Sequence, residues 1–349
     1  MTKSSPQIVA SHDFVDWLQQ EKISLAFTTY QTSRLLLIGV NKNGKISGFE
    51  RLFDRAMGLY GSTERLFLST KYQLWQFSNV LKSGQFYQGY DKLYIPRMSY
   101  TTGDLDIHDI TIDQTGRVLF ICTLLNCLAT VSQTNSCQPL WKPPFISQVT
   151  NQDRCHLNGL AMRDGKPAYV TVVSQADVEN GWRKDRQDGG CVIDISSNEI
   201  IATGFSMPHS PRFYQGKLWL LNSGMGYFGY VNLDKGTFEP ITFCPGYLRG
   251  LAFWKKWAIV GLSKPREKTF SGLKLDSELT QRQVSPCCGL MVIDLETGKI
   301  VHRLQLEGVI TELYDVQVLP NVQQPMALGF KTDEISQILT LDPMIYEIK

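Results

Sequence analysis

An all-β repeat architecture is what this sequence predicts, on three observations. Apolar and aromatic runs of four to eight residues follow one another, separated by Gly, Asn, Asp and Lys turns, which is the punctuation of strands. One strand recurs: copies begin at Ser33 (SRLLLIGV), Glu64 (ERLFLSTK), Gly116 (GRVLFICT), Gly165 (GKPAYVTV), Gly216 (GKLWLLNS), Lys256 (KWAIVGLS) and Gln324 (QPMALGFK), at intervals of 31, 52, 49, 51, 40 and 68 residues. Most copies then continue through a third strand and an Asx/Gly turn, as in GYVNLDKGTF and GLMVIDLETGK, to a fourth strand such as IIATGF. Units of about 40–50 residues holding four short strands are the period of β-propeller blades. A blade cannot bury both faces alone, so blades stack around an axis and close into a ring. The seven copies predict seven blades. The alternative is six, with the Ser33 and Gln324 copies merged into one closing blade built from both termini.

Taken in order, residues 1–22 read as an N-terminal segment carrying one short helix over residues 11–21, SHDFVDWLQQE. Ser11 is its expected cap, and Phe14, Val15 and Leu18 share a face. Residues 23–349 then form a single propeller domain. Two stretches break the repeat, Gln175 to Gly189 and Lys264 to Pro286. Each falls between the second and third strands of its blade, on the face where one blade's last strand crosses to the next blade's first. Long loops on a rigid scaffold are where function concentrates.

Composition narrows the partners. Of the 349 residues 43% are hydrophobic and 19% charged, with a net charge of +2 and no long basic run. Nucleic acid is therefore not expected as a partner, because phosphate binding needs a concentrated basic face. The opening MTKSSPQIVASHDF lacks the apolar core of a signal peptide, and no run approaches the roughly 18 apolar residues of a membrane helix. The expectation is a cytoplasmic protein without a membrane partner. The eight cysteines show no disulfide framework or zinc-site spacing.

Polar residues precede the expected innermost strands: Asp106-Ile-His-Asp109, His156-Leu-Asn158, His209-Ser-Pro-Arg212, Tyr247-Leu-Arg249 and Glu312-Leu-Tyr-Asp315. Three of the five histidines, His108, His156 and His209, fall here, 48 and 53 residues apart, about one blade each. Aligned on the next apolar residue, His156 and His209 coincide, whereas His108 aligns with Asn158. Three imidazoles from successive rigid strands would make a face for Zn²⁺, Fe²⁺ or Ca²⁺. Without a metal, a histidine beside a carboxylate, as His108 with Asp109, is a general base. The expected catalytic residues are thus His108, Asp109, His156 and His209. Asn158, Arg212, Asn222, Arg249, Tyr314 and Asp315 are expected to bind substrate, the arginines gripping an anion. The bland counterpart is that inner-strand polar groups only satisfy backbone and bridge blades. Trp182-Arg183-Lys184 and Lys264-Pro-Arg266 read as solvated charge, or as a lid. Trp75, Trp219 and Trp254 read as core between blades.

At CHLNGLAM, SMPHSPR, LWLLNSGMGYFGYVN and PGYLRGLAF the chain resembles a bacterial family of hypothetical proteins with a domain of unknown function, some fused to tetratricopeptide repeats. The resemblance runs from about Phe53 to about Pro343. It implies a cytoplasmic bacterial propeller and brings no activity with it; the tetratricopeptide part is not expected in these residues. More distantly, the Gly-Leu-Ala strand starts resemble calcium-dependent lactonase and strictosidine-synthase-like propellers, whose channel-mouth metal is held by Glu, Asn and Asp. Asn158, Glu312 and Asp315 would supply part of such a set, in a different order and spacing. Propeller lyases and oxygenases with one metal-binding histidine on each of several blades are a further analogy.

Two functions follow. One is a small-molecule-binding or catalytic pocket at the channel mouth, for an anionic or hydroxylated ligand, with or without a metal. The other is a non-catalytic scaffold that binds a protein on its disc face, which has no evident use for three histidines at equivalent positions.

Overall fold

The computed structural model describes residues 7–265 and 272–342. The unit around Gly216 shows why the repeat folds as it does. Pro208–Tyr214 and Lys217–Asn222 pair antiparallel across Gln215-Gly216, whose φ angles are +47° and +77°. Two left-handed residues match the twist of the flanking strands, and glycine meets the second at no steric cost. In the strand that follows, successive side chains point to opposite faces. Leu218 and Leu220 pack with Tyr169, Val192 and Phe205 of the preceding unit, and Trp219 and Leu221 with Leu248, Leu251 and Val260 of the next. Every side chain of Leu-Trp-Leu-Leu is therefore buried between blades, each such residue contributing about 2 kcal/mol. That is why the run is continuously apolar and not alternating.

Among the described residues six blades stack in this way, not seven. Blade 1 runs, inner strand to outer, Val316–Pro320, Ile23–Thr29, Arg34–Val40 and Ile46–Leu52. Blade 2 is Leu59–Gly61, Arg65–Ser69, Gln73–Asn79 and Lys92–Thr101; blade 3 is Ile107–Ile112, Val118–Cys122, Cys127–Thr130 and Gln138–Trp141. Blade 4 is Leu157–Arg163, Lys166–Val172, Gly190–Asp194 and Ile200–Phe205. Blade 5 completes the Gly216 unit with Tyr227–Asn232 and Thr237–Phe243. Blade 6 is Tyr247–Trp254, Trp257–Ser263, Gly289–Asp294 and Ile300–Glu307.

The seven-blade count fails at its two end copies. Ser33 opens the third strand of blade 1, because the second is Ile23–Thr29, directly after the helix. The Gln324 copy supplies only Pro325–Ala327, a parallel edge strand outside Lys92–Thr101 of blade 2. Both termini do build one closing blade, but the C-terminal share is the inner strand Val316–Pro320, in register with Ile23–Phe27.

The N-terminal segment is woven into this closure. Gln7–Ala10 pairs with the outer edge of blade 6. The helix spans Phe14–Glu21 and buries Phe14, Trp17 and Leu18 between blades 6 and 1. Ser11 does not cap it; the Ser11 hydroxyl accepts the Arg303 N–H instead. The helix ends at Lys22 in left-handed backbone, and Glu21, its last residue, accepts the indole N–H groups of Trp254 and Trp257, both at 3.0 Å.

Both insertions leave blades 4 and 6 between second and third strands and meet over one face, where Gln187 donates to the Gly272 carbonyl at 3.0 Å. Gly181–Arg183 forms a short 3₁₀ turn in the first, and Lys274–Gln281 a helix in the second. Leu273, Leu275 and Leu279 pack with Trp182, Met207 and Tyr247, giving the roof its own small core.

Candidate functional site at the roofed channel mouth

Each inner strand is entered from the roofed face, and the entry loops bring His108 and His156 together. Their rings meet edge to face, centroids 4.9 Å apart. Arg55, Asp106, His156 and Met207 all adopt left-handed backbone, with φ between 48° and 53°. For side chains other than glycine this is strained, and all four line one cavity of about 280 Å³ together with Trp182 and Tyr314.

Hydrogen bonds fix the imidazoles. The His108 Nδ1–H donates to the Asp106 carbonyl at 2.9 Å. Burial drives His108 down to a pKa of about 4, against the opposing pull of the Asp106 carboxylate. His108 is therefore neutral near pH 7, with its proton on Nδ1 and a lone pair on Nε2. The His156 Nδ1–H donates to the Asp153 carboxylate at 2.7 Å, and that carboxylate also accepts the His156 backbone N–H at 3.1 Å. Burial alone would raise the pKa of Asp153, but the His156 imidazole outweighs it and holds the group below the usual carboxylate range. Among the described residues no donor meets Nε2 of either ring.

Trp182 stacks on His156, centroids 4.2 Å apart and 28° from parallel, so the first insertion presses directly on the dyad. Arg154 ties that insertion down, donating to Asp177 at 2.7 Å. Tyr314 closes the opposite side, its ring 5.4 Å from His108. Its hydroxyl is buried without a hydrogen-bond partner, whereas the Trp182 indole N–H helps to lower the pKa of Asp153. Arg249 lies over the rings of Tyr314, Tyr247 and Tyr30, at 4.9, 5.3 and 5.4 Å.

Residues 12–328 match the family profile described as a domain of unknown function, DUF4915. The chain belongs to this family. No curated protein sequence matches it. Among solved structures, the DUF4915 chain is similar to one from a nidogen/laminin complex, at 11% identity and a TM-score of 0.53, over 86% of this chain and 99% of that one. A protein of unknown function from Bacteroides caccae matches at 10% and 0.49, over 85% and 98%. Virginiamycin B lyase from Staphylococcus aureus matches at 12% and 0.42, over 68% and 73%. At these identities the likeness bears on fold alone, and of the three the nidogen/laminin match is the one strong enough to argue it. Among the described residues no helix is long and apolar enough to cross a membrane.

The other expected site residues of the DUF4915 propeller lie elsewhere. His209 is buried beside Tyr247. Its Nδ1–H donates to the Met207 carbonyl at 2.8 Å and its Nε2 sits 3.1 Å from the Asn158 amide nitrogen, so both ring nitrogens and Asn158 are engaged. Burial, with Arg249 nearby, holds His209 well below the ordinary histidine pKa. The three-histidine face is thus not assembled, and among the described residues no three His, Cys, Asp or Glu side chains are grouped to hold a metal ion. Asn222 accepts the Ser206 N–H at 2.8 Å and shapes a turn. Ser223 donates to the Leu248 carbonyl at 2.7 Å.

Arg212, Asp109 and Asp315 form an axial hub instead of a channel-mouth grip. Arg212 donates to both Asp109 oxygens, at 2.7 and 3.2 Å, and lies 3.9 Å from Asp315. It also donates to the carbonyls of Leu160 and Leu251. Asp109 accepts the Leu160 N–H and Asp315 the Leu59 N–H, each at 2.9 Å. One connected set of charges thereby touches inner strands of blades 2 to 6 and the entry to blade 1. Burial, with Asp109 adding to it, pushes Asp315 up to about 7 against the pull of Arg212. Asp109 and Arg212 face a second cavity, of about 330 Å³, toward the other end of the inner strands.

Asp153 is a site residue the sequence reading passed over, and Trp182 one it read only as solvated charge or as a lid. Asp153 had a signal, a carboxylate three residues before His156 in a loop. Trp182 sits in a charged insertion, yet it is buried, whereas Arg183 beside it is exposed. Lys264 is tied by its backbone N–H to the Thr311 carbonyl at 2.8 Å; Arg266 lies outside the described residues.

Proposed function

We propose that this DUF4915 propeller binds a small molecule in the roofed channel mouth, and that His156, oriented by Asp153, exchanges a proton with it. The observation that carries this reading is the pairing of a positioned imidazole with a cavity. A carboxylate on Nδ1 fixes the tautomer and steadies the imidazolium that forms when Nε2 takes a proton, as general acid–base chemistry requires. His108 beside it is a neutral acceptor, and Arg249 with the tyrosines shapes the far wall. Supporting it, the strained entry loops converge on this cavity and the two insertions roof it. The axial hub and His209 then serve to hold the inner strands that carry the pocket. This goes further than likeness to the nidogen/laminin structure, which by itself would suit a protein-binding scaffold equally well.

The test is a ligand screen by thermal shift and calorimetry on the wild type, His156→Phe and Trp182→Ala, with Lys217→Ala as a surface control. Hits from the hydroxylated or carboxylated classes should be lost in the first two variants and kept in the control. Hits that persist in His156→Phe, or a partner protein captured equally by all variants with no small-molecule hits, would sink the pocket reading in favour of the scaffold.

A further inference from the structure

Hydrogen-bond polarity in the cavity discriminates between ligand classes. Nδ1–H of His108 is committed to a backbone carbonyl and that of His156 to a carboxylate, so both rings can offer only the Nε2 lone pair inward while neutral. Tyr314, 5% exposed, contributes an O–H that meets no acceptor. The lining therefore combines two Nε2 acceptors with the unmatched Tyr314 donor, while its arginines are engaged, Arg55 by Asp104 and Asp106, Arg183 by Asn180, and Arg249 over the tyrosine rings.

A carboxylate or phosphate carries acceptors alone and would set lone pair against lone pair at His108, whose Nδ1–H is given to a carbonyl and not to a carboxylate that would steady an imidazolium. Relief by protonation is opposed at His108, which burial keeps neutral until about pH 4. An ammonium group could donate to the rings but could not accept from Tyr314. A hydroxyl does both, donating to an imidazole while accepting from a phenol. Two adjacent hydroxyls would suit two adjacent rings. The volume, about 280 Å³, lies just under the range of roughly 300–1,000 Å³ that holds drug-sized ligands, which limits the guest to monosaccharide or cyclitol size.

We propose that the ligand is a neutral polyhydroxylated small molecule that presents a vicinal diol to Nε2 of His108 and His156 and accepts a hydrogen bond from Tyr314. The inference rests on the pocket reading above and narrows its anionic-or-hydroxylated ligand to the hydroxylated class.

The experiment is saturation-transfer NMR followed by calorimetry with D-glucose, D-galactose, myo-inositol and glycerol, their anionic counterparts D-glucuronate, D-gluconate and glucose 6-phosphate, and cyclohexanecarboxylate, which has no hydroxyl. At least one neutral polyol should bind saturably, with its anionic counterpart weaker by about tenfold or more, the usual cost of an unmatched buried polar group. Deleting one hydroxyl of the pair, or Tyr314→Phe at unchanged melting temperature, should each cost about tenfold. An anion binding more tightly than its neutral parent, or cyclohexanecarboxylate binding as well as the polyols, overturns the diol while leaving a His156-dependent site in place. If no compound of any class shows binding that His156→Phe removes, the pocket reading falls with it.

Discussion

Replacing Arg212 by methionine would remove the cation that Asp109 and Asp315 share and leave both carboxylates buried. Asp109 would lose two charge-assisted hydrogen bonds, and the carbonyls of Leu160, Pro211 and Leu251 would each lose a donor. Breaking one side of a buried ion pair costs about 3–5 kcal/mol. With an unfolding entropy of about 2.1 cal/mol/K per residue, a chain of 349 residues loses about 4–7 °C of melting temperature. The loss should depend on pH. Asp315 is pushed up to about 7 even with Arg212 pulling it down, so near pH 5 it is protonated in both proteins; without Arg212 it rises further, and at pH 8 the variant must hold a proton that the wild type has released. Scanning calorimetry of Arg212→Met at pH 5 and 8 should show the larger drop at pH 8, and Asp109→Asn added to Arg212→Met should recover part of it. A drop below 1 °C, or one equal at both pH values, would refute the hub as the tie between blades.

Further outcomes can be checked independently. In an imidazole ¹⁵N titration, His108 should stay neutral with its proton on Nδ1 until about pH 4; titration near 6.5 would contradict its burial. Because that pKa lies below the unfolded value, His108 contributes stability above pH 6.5 that is lost as pH falls toward 4, by up to about 3 kcal/mol. Asp315 has the opposite sign: its contribution is full below about pH 4 and is lost as pH rises through about 7. Between about pH 4 and 6.5 the two slopes offset each other, so Asp315→Asn should unmask the His108 contribution: denaturant melts of that variant should gain stability as pH rises over this range, and a fall there would contradict the His108 shift. Phe27→Ala, in the closing blade where the ring is fully buried, should cost about 3–5 kcal/mol in the same melts; a cost under 1 kcal/mol would mean that closure is not well packed.

Repeat period and strand chemistry were legible because they are local. Hairpin turns such as Gln215-Gly216 and doubly buried runs such as Leu218–Leu221 repeat wherever a blade must pack on both sides. What could not be counted locally was the closure. Arg34–Val40 and Pro325–Ala327 carry the same apolar signature as true second strands, and only pairing across nearly the whole chain assigns one to the third position and the other to an edge. The placement of both insertions over one face was readable from blade topology. Within the site, spacing brought His108 and His156 to adjacent blades, but left-handed turns and one-residue alternation decide where each side chain goes. His108 and Asp109 are neighbours in sequence, yet one lines the roofed cavity and the other faces the second cavity. Arg212 and Asp315 looked like a ligand grip because charge near an axis reads the same whether it meets a substrate or another blade. Trp182 was hidden by its charged surroundings, its partner His156 lying 26 residues earlier.

The most direct test of the pocket is a crystal structure of the protein soaked in a mixture of polyols, hydroxy acids and apolar carboxylates. Ligand density within hydrogen-bond reach of Nε2 of His156, under the Trp182 roof, is the result this account requires. Density confined to other cavities, with the roofed mouth holding only solvent at saturating ligand, would contradict it.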